Sequence, residues 1–171
     1  MDRHVISSQP IGYVGEHMQF ETTRSPLGEL VYQLKYRNGQ VDDIVETAVD
    51  FARQHWEGSI DCVVSPPASL HRLRQPVVLI AEGVARSLGV PTLPNAVVKA
   101  TATQQMKNVP IHERAPLLTD AIQAGTDSVQ GRRVLLVDDL WETGSTLRRV
   151  AEVLGKMGAS EIRALAMTRT K

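Results

Sequence analysis

The chain has 171 residues, of which 42% are hydrophobic and 22% charged, and its acidic and basic residues balance to a formal net charge of zero. This composition predicts one folded domain with a substantial core and gives no general attraction to nucleic acid or to an anionic membrane. No apolar run approaches the roughly 20 residues that cross a bilayer. No secretory signal follows Met1, and the lone Cys62 excludes an internal disulfide and a cysteine-rich zinc site. We therefore expect a cytoplasmic protein.

The hydrophobic pattern predicts an alternation of strands and helices after a weakly patterned N-terminal segment, residues 1–26, in which one short strand or hairpin is expected. The predicted elements are, in chain order, a strand or short helix over 30–36, a helix over 41–52, a buried strand over 60–64, a helix over 77–88, a strand over 96–98, a weaker helix over about 116–124, a strand over 134–137, a helix over 147–157 and a strand over 162–167. This order indicates an α/β fold, a Rossmann-like, mostly parallel sheet flanked by helices. We expect one domain, 1–171, with residues 1–26 as an extension or hood.

Residues 134–146, VLLVDDLWETGST, carry the strongest functional signal. The apolar start predicts a strand buried on both faces, with Asp138 and Asp139 where that strand ends. Ligands of open α/β sheets bind just past the carboxyl ends of strands. A helix that opens with a Gly and hydroxyl side chains suits a phosphate, and paired carboxylates suit sugar hydroxyls or a metal carried by the ligand. The segment therefore predicts a sugar-phosphate site; the alternative is a plain βα turn whose aspartates are merely solvated.

The same thirteen residues resemble the signature for 5-phosphoribosyl 1-pyrophosphate (PRPP) in the type I phosphoribosyltransferases. The resemblance implies that Asp138 and Asp139 hold the ribose hydroxyls and approach Mg²⁺ indirectly, through those hydroxyls or water. It also implies that residues 143–146 (Thr143, Gly144, Ser145 and Thr146) bind the 5′-phosphate. Glu142 stands where some relatives carry a base that acts toward the nucleobase; a surface carboxylate near a helix N-terminus is an equal alternative.

Two further segments match the places where this family holds pyrophosphate. One follows the strand over 60–64 and contains Ser65, Pro66, Arg72 and Arg74, and a solvated basic turn is the alternative. The other, residues 99–114, is the longest non-periodic stretch and fits a lid. The lid cations expected to reach pyrophosphate are Lys107 and Arg114, although both also suit an ordinary solvated loop.

Across residues 25–169 the chain resembles the ComF-like branch of phosphoribosyltransferases, which is linked to competence and DNA uptake in bacteria. The shared patterns are SPL and LKY between residues 25 and 36, HRLR at 71–74, and a T–Q … ER segment between 103 and 114. Two features depart from that branch. The cysteine-rich zinc ribbon is missing, and Arg74 is followed by Gln75-Pro76-Val77-Val78, where the branch tends to continue the basic turn with Arg-Gly-Phe-Asn-Gln.

The function implied is a Mg²⁺-dependent phosphoribosyltransferase that moves ribose 5-phosphate from PRPP to an acceptor, a nucleobase being one candidate, and releases pyrophosphate. The departures keep two alternatives open on the same fold: a catalytically weak or inactive PRPP or nucleotide sensor, and a competence-related accessory of DNA uptake. Neutral charge and only seven aromatic residues disfavour extensive nucleic-acid stacking. Dimers are common among relatives, so a homodimer is one candidate assembly, but the sequence leaves the oligomeric state open. No readable motif encodes the acceptor.

Overall fold

The computed structural model describes residues 5–14, 17–68, 75–99 and 122–170. Their secondary-structure elements are, in chain order, β1 (Val5–Val14), β2 (His17–Thr23), α1 (Pro26–Tyr36), α2 (Asp42–Trp56), β3 (Cys62–Val64), α3 (Pro76–Leu88), β4 (Val97–Lys99), β5 (Ile122–Ala124), β6 (Arg133–Trp141), α4 (Ser145–Lys156) and β7 (Glu161–Thr170). None of these helices combines the length and the apolar character needed to cross a membrane.

The larger sheet has the strand order β2-β1-β7-β6-β3, in which β1, β7, β6 and β3 are parallel and β2 pairs antiparallel with β1 at the edge. Of the two structures expected in the N-terminal segment, a short strand or a hairpin, β1 and β2 form the hairpin. A second, two-stranded antiparallel sheet joins β4 to β5. The expected α/β architecture, a mostly parallel sheet flanked by helices, is confirmed.

Side chains on β6 alternate between two apolar layers. Leu135 and Val137 pack on the side of α1, α2 and α3, whereas Val134 and Leu136 pack on the side of α4 and the small sheet. All four are fully buried, as the apolar run predicts for a central parallel strand. Because successive strand residues point to opposite faces, the residues after Val137 are also distributed to both sides of the sheet.

Strand β6 is longer than the sequence predicts. The apolar run ends at Val137, but β6 continues through both aspartates to Trp141 because β7 offers a partner along its whole length, with Asp138 opposite Ala166 and Trp141 opposite Arg169. The two aspartates therefore lie within the strand, just before the last two residue pairs of the ladder, rather than in the loop beyond it.

The predicted helix over about 116–124 is wrong at its C-terminal end. Residues 122–124 form strand β5, which pairs with β4 so that Ile122 lies opposite Lys99 and is buried against α4. This long-range pairing outweighs a weak local helical pattern. Residues 116–121 lie outside the described part of the chain.

Residues 30–36, which fit a strand or a helix by sequence, form the second half of α1. Ser25 begins this helix, since its hydroxyl accepts a hydrogen bond from the backbone N–H of Gly28 at 3.0 Å, and Pro26 occupies the first helical position. Val31 and Leu34 are buried in the core, and this packing places the C-terminal end of α1 at the edge of the sheet.

Candidate functional site

A cleft of about 560 Å³ lies at the carboxyl ends of β3 and β6. Most of the described candidate residues line it, namely Pro66, Asp138, Asp139, Glu142, Thr143, Gly144, Ser145 and Thr146. Ser65, by contrast, lines a small separate pocket against α3. Arg72, Arg74, Lys107 and Arg114 lie outside the described residues. The cleft therefore unites the acidic pair with the start of α4.

The acidic pair is held by a network that ties three elements together. The backbone N–H of Asp139 donates to Oδ1 of Asp138 at 2.9 Å, and the hydroxyl of Thr168 on β7 donates to the backbone carbonyl of Asp139 at 2.8 Å. The Nζ of Lys35, at the end of α1, lies 2.9 Å from Oδ1 of Asp139. These contacts fix the backbone at Asp139 and one oxygen of each carboxylate.

The two carboxyl groups differ in electrostatic environment. Burial is the largest influence on Asp138, and together with the neighbouring charge of Asp139 it raises the pKa of Asp138 from 3.8 to about 7. The backbone N–H of Asp139 and the charge of Lys35 oppose this rise without cancelling it. Near neutral pH the Asp138 carboxyl can therefore either accept a hydrogen bond as a carboxylate or donate one as an acid.

The loop from β6 to α4 turns at Gly144, which has a φ of +74° and directly precedes the helix. A Cβ at this position would lie 2.5 Å from the ring of Trp141, so any other residue here would require the indole to shift. The hydroxyl of Thr143 accepts from the N–H of Ser145 at 3.3 Å and donates to its hydroxyl at 3.0 Å. Exposed hydroxyls thus surround the positive end of a 12-residue helix, an arrangement that suits an anion.

Sequence reasoning missed four side chains that line the same cleft, Lys35 and Tyr36 on α1, Gln75 before α3 and Lys99 at the end of β4. Lys99 was expected only as part of the lid segment. The LKY pattern at 34–36 contains Lys35 and Tyr36 and could have indicated both. A pattern of three residues does not predict, however, which carboxylate the lysine will pair with. Tyr36 is 60% exposed at the rim.

The cleft offers oxygen ligands for a divalent metal without a complete protein cage. Across the described ranges, no group of three or more His, Cys, Asp or Glu side chains is close enough to hold a metal ion. Asp138, Asp139 and Glu142 line the cleft beside only two described lysines. Carboxylate oxygens suit a hard cation such as Mg²⁺ that arrives with an anionic ligand and keeps part of its water.

Comparison with known proteins identifies the family of the chain. The family model for the phosphoribosyl transferase domain matches residues 76–169, more than half of the chain. Competence protein F of Haemophilus influenzae is 28% identical over 158 residues, which cover 84% of this chain and 68% of that protein. Adenine phosphoribosyltransferase of Rhodospirillum rubrum is 44% identical over 50 residues, which cover 25% of this chain and 29% of that enzyme.

Among solved structures, the glutamine PRPP amidotransferase of B. subtilis superposes with a TM-score of 0.56 at 19% identity. The match covers 90% of this chain but only 34% of that enzyme, so it supports the fold alone. The chain belongs to the phosphoribosyl transferase domain family, and the match to residues 76–169 includes the whole signature segment. The resemblance to the type I phosphoribosyltransferases and to their ComF-like branch is confirmed.

Proposed function

We propose that this protein binds PRPP together with Mg²⁺ and transfers its ribose 5-phosphate to an acceptor, with release of pyrophosphate. The observation that carries the proposal is the joining, in one cleft, of the acidic pair on β6 and the hydroxyl-rich start of α4. A sugar phosphate needs hydrogen-bond acceptors for its hydroxyls and donors for its phosphate at a short, fixed separation. The consecutive residues 138–146 supply both kinds of group here.

In this proposal Asp138 and Asp139 bind the ribose hydroxyls, and Thr143, Gly144, Ser145 and Thr146 bind the 5′-phosphate. Pro66 is proposed to line the part of the cleft that binds pyrophosphate. The proposed pyrophosphate contacts are Ser65, Arg72, Arg74, Lys107 and Arg114. Glu142 is exposed beside the cleft and is the proposed base toward an acceptor proton. Mg²⁺, when bound with PRPP, would supply positive charge for the departing pyrophosphate.

The proposed acceptor is a nucleobase. The adenine phosphoribosyltransferase relative supports a nucleobase, and Tyr36 at the rim offers an aromatic surface for one. The N-terminal hairpin and residues 1–26 are the proposed hood of a single domain that spans 1–171. Cytoplasmic location and a homodimer belong to the same proposal.

Thermal melting with PRPP, in Mg²⁺ and in EDTA, tests the binding step. A ligand at one hundred times its dissociation constant stabilises the folded state by about 2.7 kcal/mol, which corresponds to a rise of about 5–11 °C for a chain of this size. We expect this rise with Mg²⁺, a much smaller one with EDTA, and a reduced one for Asp139→Asn, which should bind PRPP more weakly. Thr47→Val on α2, whose hydroxyl donates to a carbonyl of its own helix, is the matched control. No shift at millimolar PRPP would contradict the proposal.

Pyrophosphate release with a panel of nucleobases tests the transfer step. Binding of PRPP without release above background for any acceptor would instead support a sensor on the same fold. A second function, an accessory role in DNA uptake, is favoured by one observation, the similarity to Competence protein F over 84% of the chain. DNA binding that weakens with salt would support it, and no binding at low salt would remove it.

A further inference from the structure

Lys35 makes a contact with the acidic pair that the sequence distance hides. Its Nζ lies 2.9 Å from Oδ1 of Asp139, a residue 104 positions away, and the two side chains are only 21% and 13% exposed. Exposed ion pairs contribute little, whereas a pair shielded to this degree holds its two groups in one geometry. The contact joins α1 to β6 at the wall of the cleft.

The position of Lys35 follows from how α1 packs. Leu27, Val31 and Leu34 are buried on the face of the sheet that carries Val137, so the residue after Leu34 emerges at the edge where β6 meets the cleft. The hydroxyl of Thr168 holds the backbone carbonyl of Asp139 from the other side. Asp139 is therefore anchored through its backbone by β7 and through its side chain by α1.

We propose that Lys35 is a positioning residue of the ribose subsite: by pairing with Oδ1 of Asp139, it turns Oδ2 toward the ribose hydroxyls. This inference rests on the proposed PRPP site and assigns to α1 a part in it. A carboxylate held by a cation loses less rotational freedom when it binds a hydroxyl, so the contact favours binding before the ligand arrives. The ammonium also offsets negative charge that would repel a polyanion.

The proposal separates two ways in which Lys35 could matter. A positioning residue acts on the ribose, which PRPP and ribose 5-phosphate share. A lysine that touched pyrophosphate directly would affect PRPP and leave ribose 5-phosphate unchanged. The two ligands therefore distinguish the mechanisms without any measurement of turnover.

The experiment is titration calorimetry of the full chain with PRPP and with ribose 5-phosphate, in Mg²⁺ and below the melting temperature of every variant. We expect Lys35→Met to raise both dissociation constants by about tenfold and by the same factor, and Lys35→Arg to restore binding to within about threefold. Lys156→Met, at the exposed end of α4, is the matched control and should bind like the wild type. In an Asp139→Asn background the same Lys35→Met change should cost less than about twofold.

The contrary outcomes are distinct. Equal binding by wild type and Lys35→Met overturns the positioning role, as does a loss confined to PRPP. A loss that persists undiminished in the Asp139→Asn background also overturns it, because Lys35 would then act elsewhere. Failure of the wild type to bind either ligand overturns the proposed function itself. If Lys35→Met does not fold, Lys35→Gln carries the same comparison.

Discussion

The two ends of strand β6 place aspartates in opposite situations. At its start, the guanidinium of Arg133 donates two hydrogen bonds to Asp61, from Nη2 to Oδ1 at 2.6 Å and from Nε to Oδ2 at 3.0 Å. The backbone N–H of Arg133 donates a third hydrogen bond to Oδ2 of Asp61 at 2.8 Å. These bonds lower the pKa of Asp61 from 3.8 to about 2. At the other end, burial and a neighbouring carboxylate raise the pKa of Asp138 to about 7.

The comparison shows that one strand can have an ion-paired aspartate at one end and, at the other, a buried aspartate that lines a cleft. Asp61 is near solvent and well supplied with donors, so its charge is satisfied within the protein. Asp138 has an acidic neighbour, and the nearby Lys35 is already paired with that neighbour. A carboxyl group that lines a cleft and whose pKa is raised by burial and by a charged neighbour is typical of a functional site.

The largest expected effect is that of Asp138→Asn. Removal of the charge should weaken PRPP binding by about 10- to 100-fold, the value of a hydrogen bond to a charged group. The same change should stabilise the free protein. Because the pKa of Asp138 is raised in the folded state, its stabilising contribution is complete below about pH 4 and is lost as the pH rises to about 7. Because Asn does not ionise, the Asp138→Asn variant keeps this stabilising contribution as the pH rises.

Melting curves at pH 5 and pH 8, without ligand, test the direction of this pH dependence of stability. The melting temperature of Asp138→Asn should exceed that of the wild type by more at pH 8 than at pH 5. A variant that is less stable at pH 8 would show that the Asp138 carboxylate is a structural partner like Asp61.

Glycine substitutions at the two ends come next in size. Gly144→Ala forces a residue with a side chain into a left-handed conformation and into the Trp141 ring, at a combined cost of about 2–4 kcal/mol in the free energy of unfolding. Gly58, beside Arg133, has a similar φ of +64°, and an added methyl group there would meet nothing within 4 Å, so Gly58→Ala carries the conformational cost alone. Urea unfolding of both variants isolates the Trp141 contact; equal losses would mean that the indole moves aside at no cost.

Thr143→Val should have a smaller effect, confined to the site. The hydroxyl of Thr143 bonds Ser145 at the start of α4, and its loss should weaken PRPP binding by about 3- to 10-fold, as for one neutral hydrogen bond. Calorimetric titration measures this change, with Thr47→Val for comparison. An unaltered dissociation constant would show that Thr143 does not contact the phosphate of PRPP.

The smallest effect is expected at the other end of β6. Asp61→Asn should leave PRPP binding unchanged and lower stability slightly at pH 6. Since the pKa of Asp61 is depressed in the folded state, its stabilising contribution exists above about pH 4 and is lost as the pH falls through about 2. Melting temperatures of wild type and variant should therefore converge in acid. A large loss of PRPP affinity would break the distinction between the two ends.

Much of the fold could be predicted because its signals are local. The apolar run at 134–137 indicates a buried strand, and the stripe from Val77 to Leu88, ended by Gly89 in a left-handed conformation, indicates a helix. The order of chemical groups in residues 138–146 could also be predicted, because the acidic pair and the hydroxyl-rich turn that follows it can be read directly from the sequence.

The sequence by itself therefore determined the α/β class, the family and the segment proposed to carry the chemistry, because periodicity, helix ends and side-chain type are properties of neighbouring residues. Tertiary structure alone decided how far β6 extends, since β7 supplies the partners of its last residues. It also made residues 122–124 a strand and brought Lys35 to Asp139. Each of these depends on pairing or packing between distant segments, which no local pattern records.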